Sequence, residues 1–191
     1  MELFKRILFT LRMLHRYRHA LAKIDSSTPR QIHQISPANL KHNGIRVLVL
    51  DFDGVLAAHG EALPIQELQP WLHDCVNIFG STQVFVLSNK PLQSRINYFN
   101  PLKIRCIADV KKKPYPDGLQ KIIALTGQSP KTVMLVDDRL LTGCLAACIA
   151  GISVTLITRP YVSLSKRPIQ ELFFMTLRFL ERYIVQWYAI F

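Results

Sequence analysis

Acidic side chains are scarce in this chain: 13 Asp plus Glu stand against 24 Lys plus Arg, a formal net charge of +11 over 191 residues. Such an imbalance attracts an anionic partner without choosing among nucleic acid, lipid headgroups and phosphorylated substrates. Cysteine is sparse as well. Cys75, Cys106, Cys144 and Cys148 are the four in the chain, with no CxxC spacing and no Cys/His cluster. That argues against a disulfide scaffold and a structural zinc, and makes a reducing compartment the default. No apolar run reaches the roughly 18–20 uninterrupted residues of a spanning helix, which excludes an integral membrane protein but not a surface-bound one. Internal repeats, low-complexity tracts and nucleic-acid motifs are missing, and the aromatics form no base-stacking platform, so nucleic acid is not expected as a partner. The six histidines, His59 among them, show no metal-ligand spacing. What the chain has in quantity is apolar side chains, 49% hydrophobic against 19% charged, enough for one buried core in a single domain.

Residues 1–24 read as a basic amphipathic helix. At about 100° per residue, Leu3, Phe4, Ile7, Leu11, Leu14 and Leu21 gather on one side, and Lys5, Arg12, Arg16, His19 and Lys23 almost opposite. Glu2 is the only acid before Asp25. The pattern suits an in-plane helix on an anionic membrane, and equally a helix packed on its own domain. A mitochondrial presequence shares the Arg-rich, acid-poor composition, whereas Arg12 interrupts the apolar stretch that a signal peptide needs. Residues 25–44, punctuated by Ser26, Ser27, Pro29 and Pro37, read as an irregular lead-in. Residues 161–191 read as a linker and a second amphipathic helix. Leu172, Phe173, Leu177, Leu180, Ile184, Trp187 and Phe191 fall along one face, with Glu171, Arg178, Glu181 and Arg182 away from it. Trp187, Tyr188 and Phe191 suit a bilayer interface, although packing on the sheet or on the N-terminal helix is the commoner role of such a stripe.

Between these segments, residues 45–160 alternate regularly. Strands are expected at residues 45–50, 83–87, 104–107, 132–136 and 152–157, and helices at 65–79, 117–126 and 140–149. Strands alternating with helices predict an α/β fold: a Rossmann-like, parallel five-stranded sheet covered by helices on both faces. Sites in such sheets form at the carboxyl ends of the strands.

That rule gives meaning to four short motifs. Asp51-Phe52-Asp53-Gly54 directly follows the first strand. One carboxylate there can attack phosphorus and form an aspartyl-phosphate, and the other can protonate the leaving oxygen and then activate water. Two facing carboxylates repel, which calls for a hard cation such as Mg²⁺. Ser88-Asn89 follows the second strand and offers a hydroxyl, an amide and backbone N–H groups to a phosphoryl oxygen. Lys113, before Pro114, follows the third and can steady both nucleophile and phosphate. Asp137-Asp138 ends the fourth and completes a metal set of Asp51, Asp53, Asp137 and Asp138. Each motif has a plainer reading: a polar or calcium loop, a helix N-cap before Pro91, solvated lysines, a cap for residues 140–149. All four at consecutive strand ends point to phosphoryl transfer, with Asp51, Asp53, Ser88 and Lys113 catalytic and Ser88, Asn89 and Lys113 on the phosphate. His59, Glu61, Arg139 and Arg159 receive no role, and Cys144 and Cys148, four apart, read as core.

These motifs resemble those of the haloacid dehalogenase superfamily over residues 45–157. The resemblance implies Asp51 as nucleophile, Asp53 as general acid/base, Ser88 and Lys113 as the second and third motifs, and Asp137 with Asp138 as the acidic fourth. Val86-Leu87-Ser88-Asn89, Val110 to Pro114 and Val136-Asp137-Asp138-Arg139-Leu140-Leu141-Thr142 are similar to subfamily IIIA, the YqeG-like group that includes phosphatidylglycerophosphate phosphatases. Leu180-Glu181-Arg182 resembles that group's tail more weakly. Asp137 stands where the group has Gly, Gly143 where it has a second Asp, and Lys90 where it has a second Asn. The adjacent carboxylates of Asp137 and Asp138 are expected to restore the missing one.

The gaps from Asp53 to Ser88 and from Ser88 to Lys113 are too short for a separate cap of about 50 residues. In this superfamily a capless site implies a large substrate, such as a protein or a lipid headgroup. The expected activity is a Mg²⁺-dependent phosphomonoesterase acting on an anionic phospholipid, phosphatidylglycerophosphate, with peripheral membrane contact. The location expected is the cytoplasm at the inner face of the membrane, or the mitochondrion in a eukaryote. A phosphatase of phosphoproteins or other soluble monoesters, and a non-catalytic basic lipid- or nucleic-acid-binding module, are the alternatives.

Overall fold

A computed structural model describes residues 2–25 and 31–190. Met1 and Phe191, which the two terminal amphipathic patterns include, and Ser26, Ser27 and Pro29 of the lead-in lie outside the described residues.

Apolar, β-branched segments form the centre. Strands β1 (Val47–Leu50), β2 (Val84–Val86), β3 (Arg105–Cys106), β4 (Val133–Asp137) and β5 (Ser153–Leu156) make one sheet in the order β3-β2-β1-β4-β5, every pair parallel. All four residues of β1 are buried, and alternate ones serve opposite cores, as a period of two requires. Leu48 and Leu50 pack with Trp71, Leu72 and Cys75 of α3 (Gln69–Phe79) and with Phe99 of α4 (Gln93–Phe99). Val47 and Val49 pack with Leu119 and Ile122 of α5 (Asp117–Thr126) and with Ala146 and Ala147 of α6 (Leu145–Ala150). Helices therefore cover both faces, and among the described residues no separate cap domain interrupts the sheet. The four cysteines are free, Cys75 and Cys144 within the core.

Three elements differ from the reading of the sequence. The lead-in contains α2 (Pro37–His42), started by the Ser36 hydroxyl accepting from the Asn39 N–H at 3.2 Å and by Pro37 in the first turn. The segment between β2 and β3 holds α4, so Pro91 precedes a helix whose N-cap is Leu92 rather than Ser88 or Asn89. The helix expected at 140–149 opens with a π-helical turn, Leu140–Cys144, before α6 begins.

The two terminal helices are where the sequence said least about placement. In α1 (Glu2–Asp25), Leu14 and Leu21 join a third core with Leu140, Leu145 and Leu156, while Leu3, Phe4, Ile7, Leu8 and Leu11 remain exposed. The second half of this helix packs on the domain, and the first half leaves most of its apolar side chains exposed. In α7 (Pro168–Tyr188) the buried residues are Glu171, Arg178, Glu181 and Val185, whereas Leu172, Phe173, Leu180, Ile184 and Trp187 are exposed. The apolar stripe faces outward and the charged face inward, the reverse of ordinary packing.

Candidate active site

Strand register assembles the site. Leu50 pairs with Val86 on one side and Val136 on the other, so the next residues of three adjacent strands, Asp51, Leu87 and Asp137, emerge level with one another. The Asp51 N–H donates to the Val136 carbonyl at 2.9 Å, and the Leu87 N–H to the Leu50 carbonyl at 2.9 Å. Beyond β3, the loop carrying Lys113 is tied back by the Lys113 N–H, which donates to Asn89 Oδ1 at 2.7 Å.

Lys113 is buried between two carboxylates, with Nζ 2.9 Å from Asp51 Oδ1 and 2.5 Å from Asp137 Oδ2. Asp138, at the other flank, accepts from Arg178 Nε of α7 at 2.6 Å. Three carboxylates thus face two cations, so ionising all three would leave a negative charge unbalanced in a buried place. The result is visible in the pKa values. Burial, reinforced by Asp137, Asp138 and Asp53 and opposed by Lys113, pushes Asp51 up to about 8. Burial also raises Asp138 to about 6 against the pull of Arg178. Burial works against the charge on Lys113, but Asp137 and Asp51 outweigh it and hold the ammonium above the ordinary lysine range.

Asp51, Asp137 and Asp138 each offer an oxygen within 4.8 Å of the others. Asp138 Oδ1 is buried with no hydrogen-bond partner, a position that natural structures rarely leave unpaired. Hard oxygen donors, an orphaned lone pair and one more carboxylate than cations together fit a divalent cation. Asp53, expected as a fourth carboxylate of that set, lies outside the cluster. Its oxygens accept from the two terminal nitrogens of Arg95 at 2.7 and 3.0 Å, and Oδ1 also accepts from the Gly60 N–H at 3.0 Å. Burial opposes its charge, yet the Arg95 hydrogen bonds hold its carboxyl below the usual range.

Gly54 turns the chain at φ +85°, and a Cβ there would overlap the Asp138 carboxylate. A Cβ on Gly143 would overlap Asp137 in the same way. The Asp137 carboxylate therefore fills the space that a side chain at 143 would take, which explains physically how carboxylate and glycine stand exchanged in this chain.

Ser88 is buried at the end of β2, its hydroxyl accepting from the Lys90 N–H at 3.2 Å and from Arg95 at 3.3 Å. Asn89 lines the crevice with its carbonyl committed to the Lys113 loop. Arg95, which sequence reasoning missed, links three segments: besides Asp53 and Ser88 it donates to the Glu61 carbonyl at 2.8 and 3.1 Å and lies 3.7 Å over the Phe52 ring. His59 and Arg139, left without a role, are packed into the site's wall. His59 stacks on Phe174 at 3.8 Å, and Arg139 pairs with Glu181 of α7.

The crevice measures about 640 Å³ and has Asp51, Asp53, Lys113 and Asp138 among its lining residues. Its walls are not open sheet edges. Arg6 and Ile7 of α1 and Phe173 and Phe174 of α7 stand around it, so both terminal helices border the crevice. A buried carboxylate beside an ammonium, in a set of three that could hold a divalent cation and facing such a crevice, is chemically equipped for phosphoryl transfer. Residues 5–162 match the family described as Mitochondrial PGP phosphatase.

The chain belongs to that family.

Membership makes it a phosphatase of the haloacid dehalogenase type acting on a phosphorylated substrate. The matched span includes most of α1 and the whole sheet, and α7 lies beyond it. No curated protein matches. A solved crystal structure, 13% identical, superposes with a TM-score of 0.55 over 74% of this chain and 85% of its own, which shows a shared fold. NagD from E. coli K-12 is 13% identical with a TM-score of 0.47 over 65% of this chain and 92% of NagD. An uncharacterized protein from Corynebacterium glutamicum is 18% identical with a TM-score of 0.46 over 70% and 97% of the two chains.

Proposed function

We propose that the protein is a Mg²⁺-dependent phosphomonoesterase that hydrolyses phosphatidylglycerophosphate at an anionic membrane surface through an aspartyl-phosphate. The observation that carries the reading is the set of Asp51, Asp137 and Asp138 around Lys113, with one more carboxylate than cations and one orphaned oxygen. Asp51, Asp137 and Asp138 hold the Mg²⁺, which when bound neutralises the carboxylates and the phosphoryl oxygens.

Asp51 attacks phosphorus with a carboxylate oxygen, and the bond from phosphorus to the glycerol oxygen breaks. Asp53 supplies the proton to that leaving oxygen. In the resting site Arg95 holds Asp53 ionised, so a substrate arriving as its phosphate monoanion must loosen this pair and hand Asp53 the proton that it then passes to the leaving oxygen. Lys113 steadies Asp51 and then the transferred phosphoryl group, and Ser88 and Asn89 keep the second wall of the crevice in place. Asp53 next takes a proton from water, the water oxygen attacks phosphorus, and the acyl phosphate bond breaks to return Asp51 and release phosphate. A mitochondrial location, in keeping with the name of the matched family, would bring the basic α1 against an anionic membrane.

The test is Mg²⁺-dependent phosphate release from phosphatidylglycerophosphate in mixed micelles, wild type beside Asp51→Asn, with a soluble aryl phosphate in parallel. Faster release from the lipid by wild type alone is expected. Activity confined to the aryl ester would keep the chemistry and remove the lipid. No activity on either substrate, with the protein folded, would put a binding module ahead.

A further inference from the structure

The inverted helix α7 requires an explanation that the chemistry of the site does not supply. Its charged face is fixed inward by specific partners. Arg178 pairs with Asp138, Glu181 with Arg139, and Glu171 Oε1 accepts from the His59 and Ser163 N–H groups at 3.1 and 3.2 Å. The helix cannot roll to bury its apolar stripe without abandoning these buried charges, each several kcal/mol when left unpaired, as an order of magnitude. Nine large apolar or aromatic side chains of α7 are consequently at least 40% exposed, a patch of the kind that marks an interaction surface.

The first half of α1 does the same. Five apolar residues from Leu3 to Leu11 are at least 48% exposed, and the stack of Phe9 on Tyr115, centroids 4.4 Å apart, holds this half against the loop after β3. The two exposed faces meet at one place. Ile7 and Leu11 from α1 and Phe173 and Leu177 from α7 line the crevice that holds Asp51. Cations ring it too, with Arg6, Lys90 and Lys112 at the same mouth.

We infer that the exposed faces of α7 and of the first half of α1 form one docking surface for an anionic phospholipid bilayer, with the mouth of the crevice at its centre. The choice of a bilayer as occupant rests on the lipid reading of the substrate and on three observations. An apolar face on a helix that also carries Lys5, Arg6 and Arg12 matches acyl chain and headgroup at once. Phe4, Phe173, Phe179, Tyr183 and Trp187 are aromatics of the kind favoured at the interface. No described helix is long and apolar enough to cross a membrane, so the two lie on it. A second copy of the chain is the poorer occupant, because pairing would oppose two bodies of net charge +11. Docked in this way, a headgroup phosphate reaches Asp51 while its acyl chains stay in the bilayer.

The experiment uses the full chain and vesicles that contain no phosphomonoester: phosphatidylcholine alone, and phosphatidylcholine mixed with phosphatidylglycerol. Flotation should recover the protein with the mixed vesicles about tenfold more strongly than with the neutral ones. The double variant Phe4→Ser/Phe179→Ser, altered at two exposed sites outside the crevice, should bind about tenfold more weakly while hydrolysing a soluble aryl phosphate like wild type. Equal binding by wild type and variant, or no binding to mixed vesicles, overturns the docking surface. Concentration-dependent self-association that the variant abolishes, without vesicle binding, reassigns the face to a second copy. Vesicle binding survives a failure of the lipid-phosphatase reading, and aryl phosphate hydrolysis survives a failure of docking, so the two are told apart.

Discussion

Arg178 Nε of α7 lies 2.6 Å from Asp138 Oδ2, across 40 residues of sequence, and makes the C-terminal helix part of the carboxylate cluster. Removing the guanidinium leaves Asp138 buried beside Asp137 with no cation of its own. Arg178→Met should lower stability by about 3–5 kcal/mol without metal. Mg²⁺ should recover more of the variant's stability than it adds to wild type, because it supplies the missing charge. Urea titrations with and without Mg²⁺ check this, and an equal metal effect on both proteins would contradict it.

Asp51 illustrates the conflict between a site and its fold. Burial and the neighbouring carboxylates push it up to about 8, so its ionised form is held at the expense of stability. Asp51→Asn should melt at the same temperature as wild type or higher in metal-free buffer, while phosphate release falls by about a thousandfold or more. A clearly lower melting temperature would show that Asp51 supports the fold.

Asp137 and Gly143 share one volume, since a Cβ at 143 would overlap the Asp137 carboxylate. Gly143→Asp alone should therefore unfold or inactivate the protein. Combined with Asp137→Gly, it should restore folding and the Mg²⁺-dependent rise in melting temperature, roughly 5–10 °C at saturating metal. A double variant no better than the single one would contradict the exchange.

His59 sits between Arg178 and Glu171. Its Nδ1 is 3.3 Å from Arg178 Nη2 and 3.6 Å from Glu171 Oε2. An arginine can only donate, so Nδ1 accepts and the ring is neutral, and Glu171 takes its hydrogen bonds from backbone N–H groups instead. Burial, then the charge of Arg178, lowers the imidazole from 6.5 to about 4. Below pH 6.5 the unfolded chain binds a proton that the folded one refuses. This contribution is thus complete above the unfolded value and is lost as pH falls toward about 4, about 3 kcal/mol in all. His59→Gln should lose correspondingly less stability than wild type between about pH 7 and pH 4. Parallel acid-dependent losses in urea titrations would contradict a neutral His59.

Asp51, Ser88, Asp137 and Asp138 were legible because each stands at or just past the end of a short buried strand, where parallel register brings strand ends together, and Lys113 because it lies in the loop after the third strand. The Asp53 partner was not, since nothing local joins it to Arg95, 42 residues away on a seven-residue helix. Periodicity showed that α7 has two faces, and could not show which one turns inward. That depends on Arg178, Glu181 and Glu171 finding Asp138, Arg139 and the His59 N–H, pairings that span 40 residues or more of sequence. The start of α2 is legible in Ser36-Pro37, a cap followed by a first-turn proline, although Pro37 by itself reads equally as a break in an irregular segment.

The covalent role of Asp51 is tested most directly by rapid quenching of Asp53→Asn with a soluble aryl phosphate in Mg²⁺. A good leaving group needs no protonation, whereas the water step does need a base, so the acyl phosphate should accumulate. Mass spectrometry of the quenched protein is expected to find one phosphoryl group on Asp51. Phosphate release by Asp51→Asn at the wild-type rate, or steady turnover with no phosphorylated protein at any quench time, would contradict the aspartyl-phosphate route.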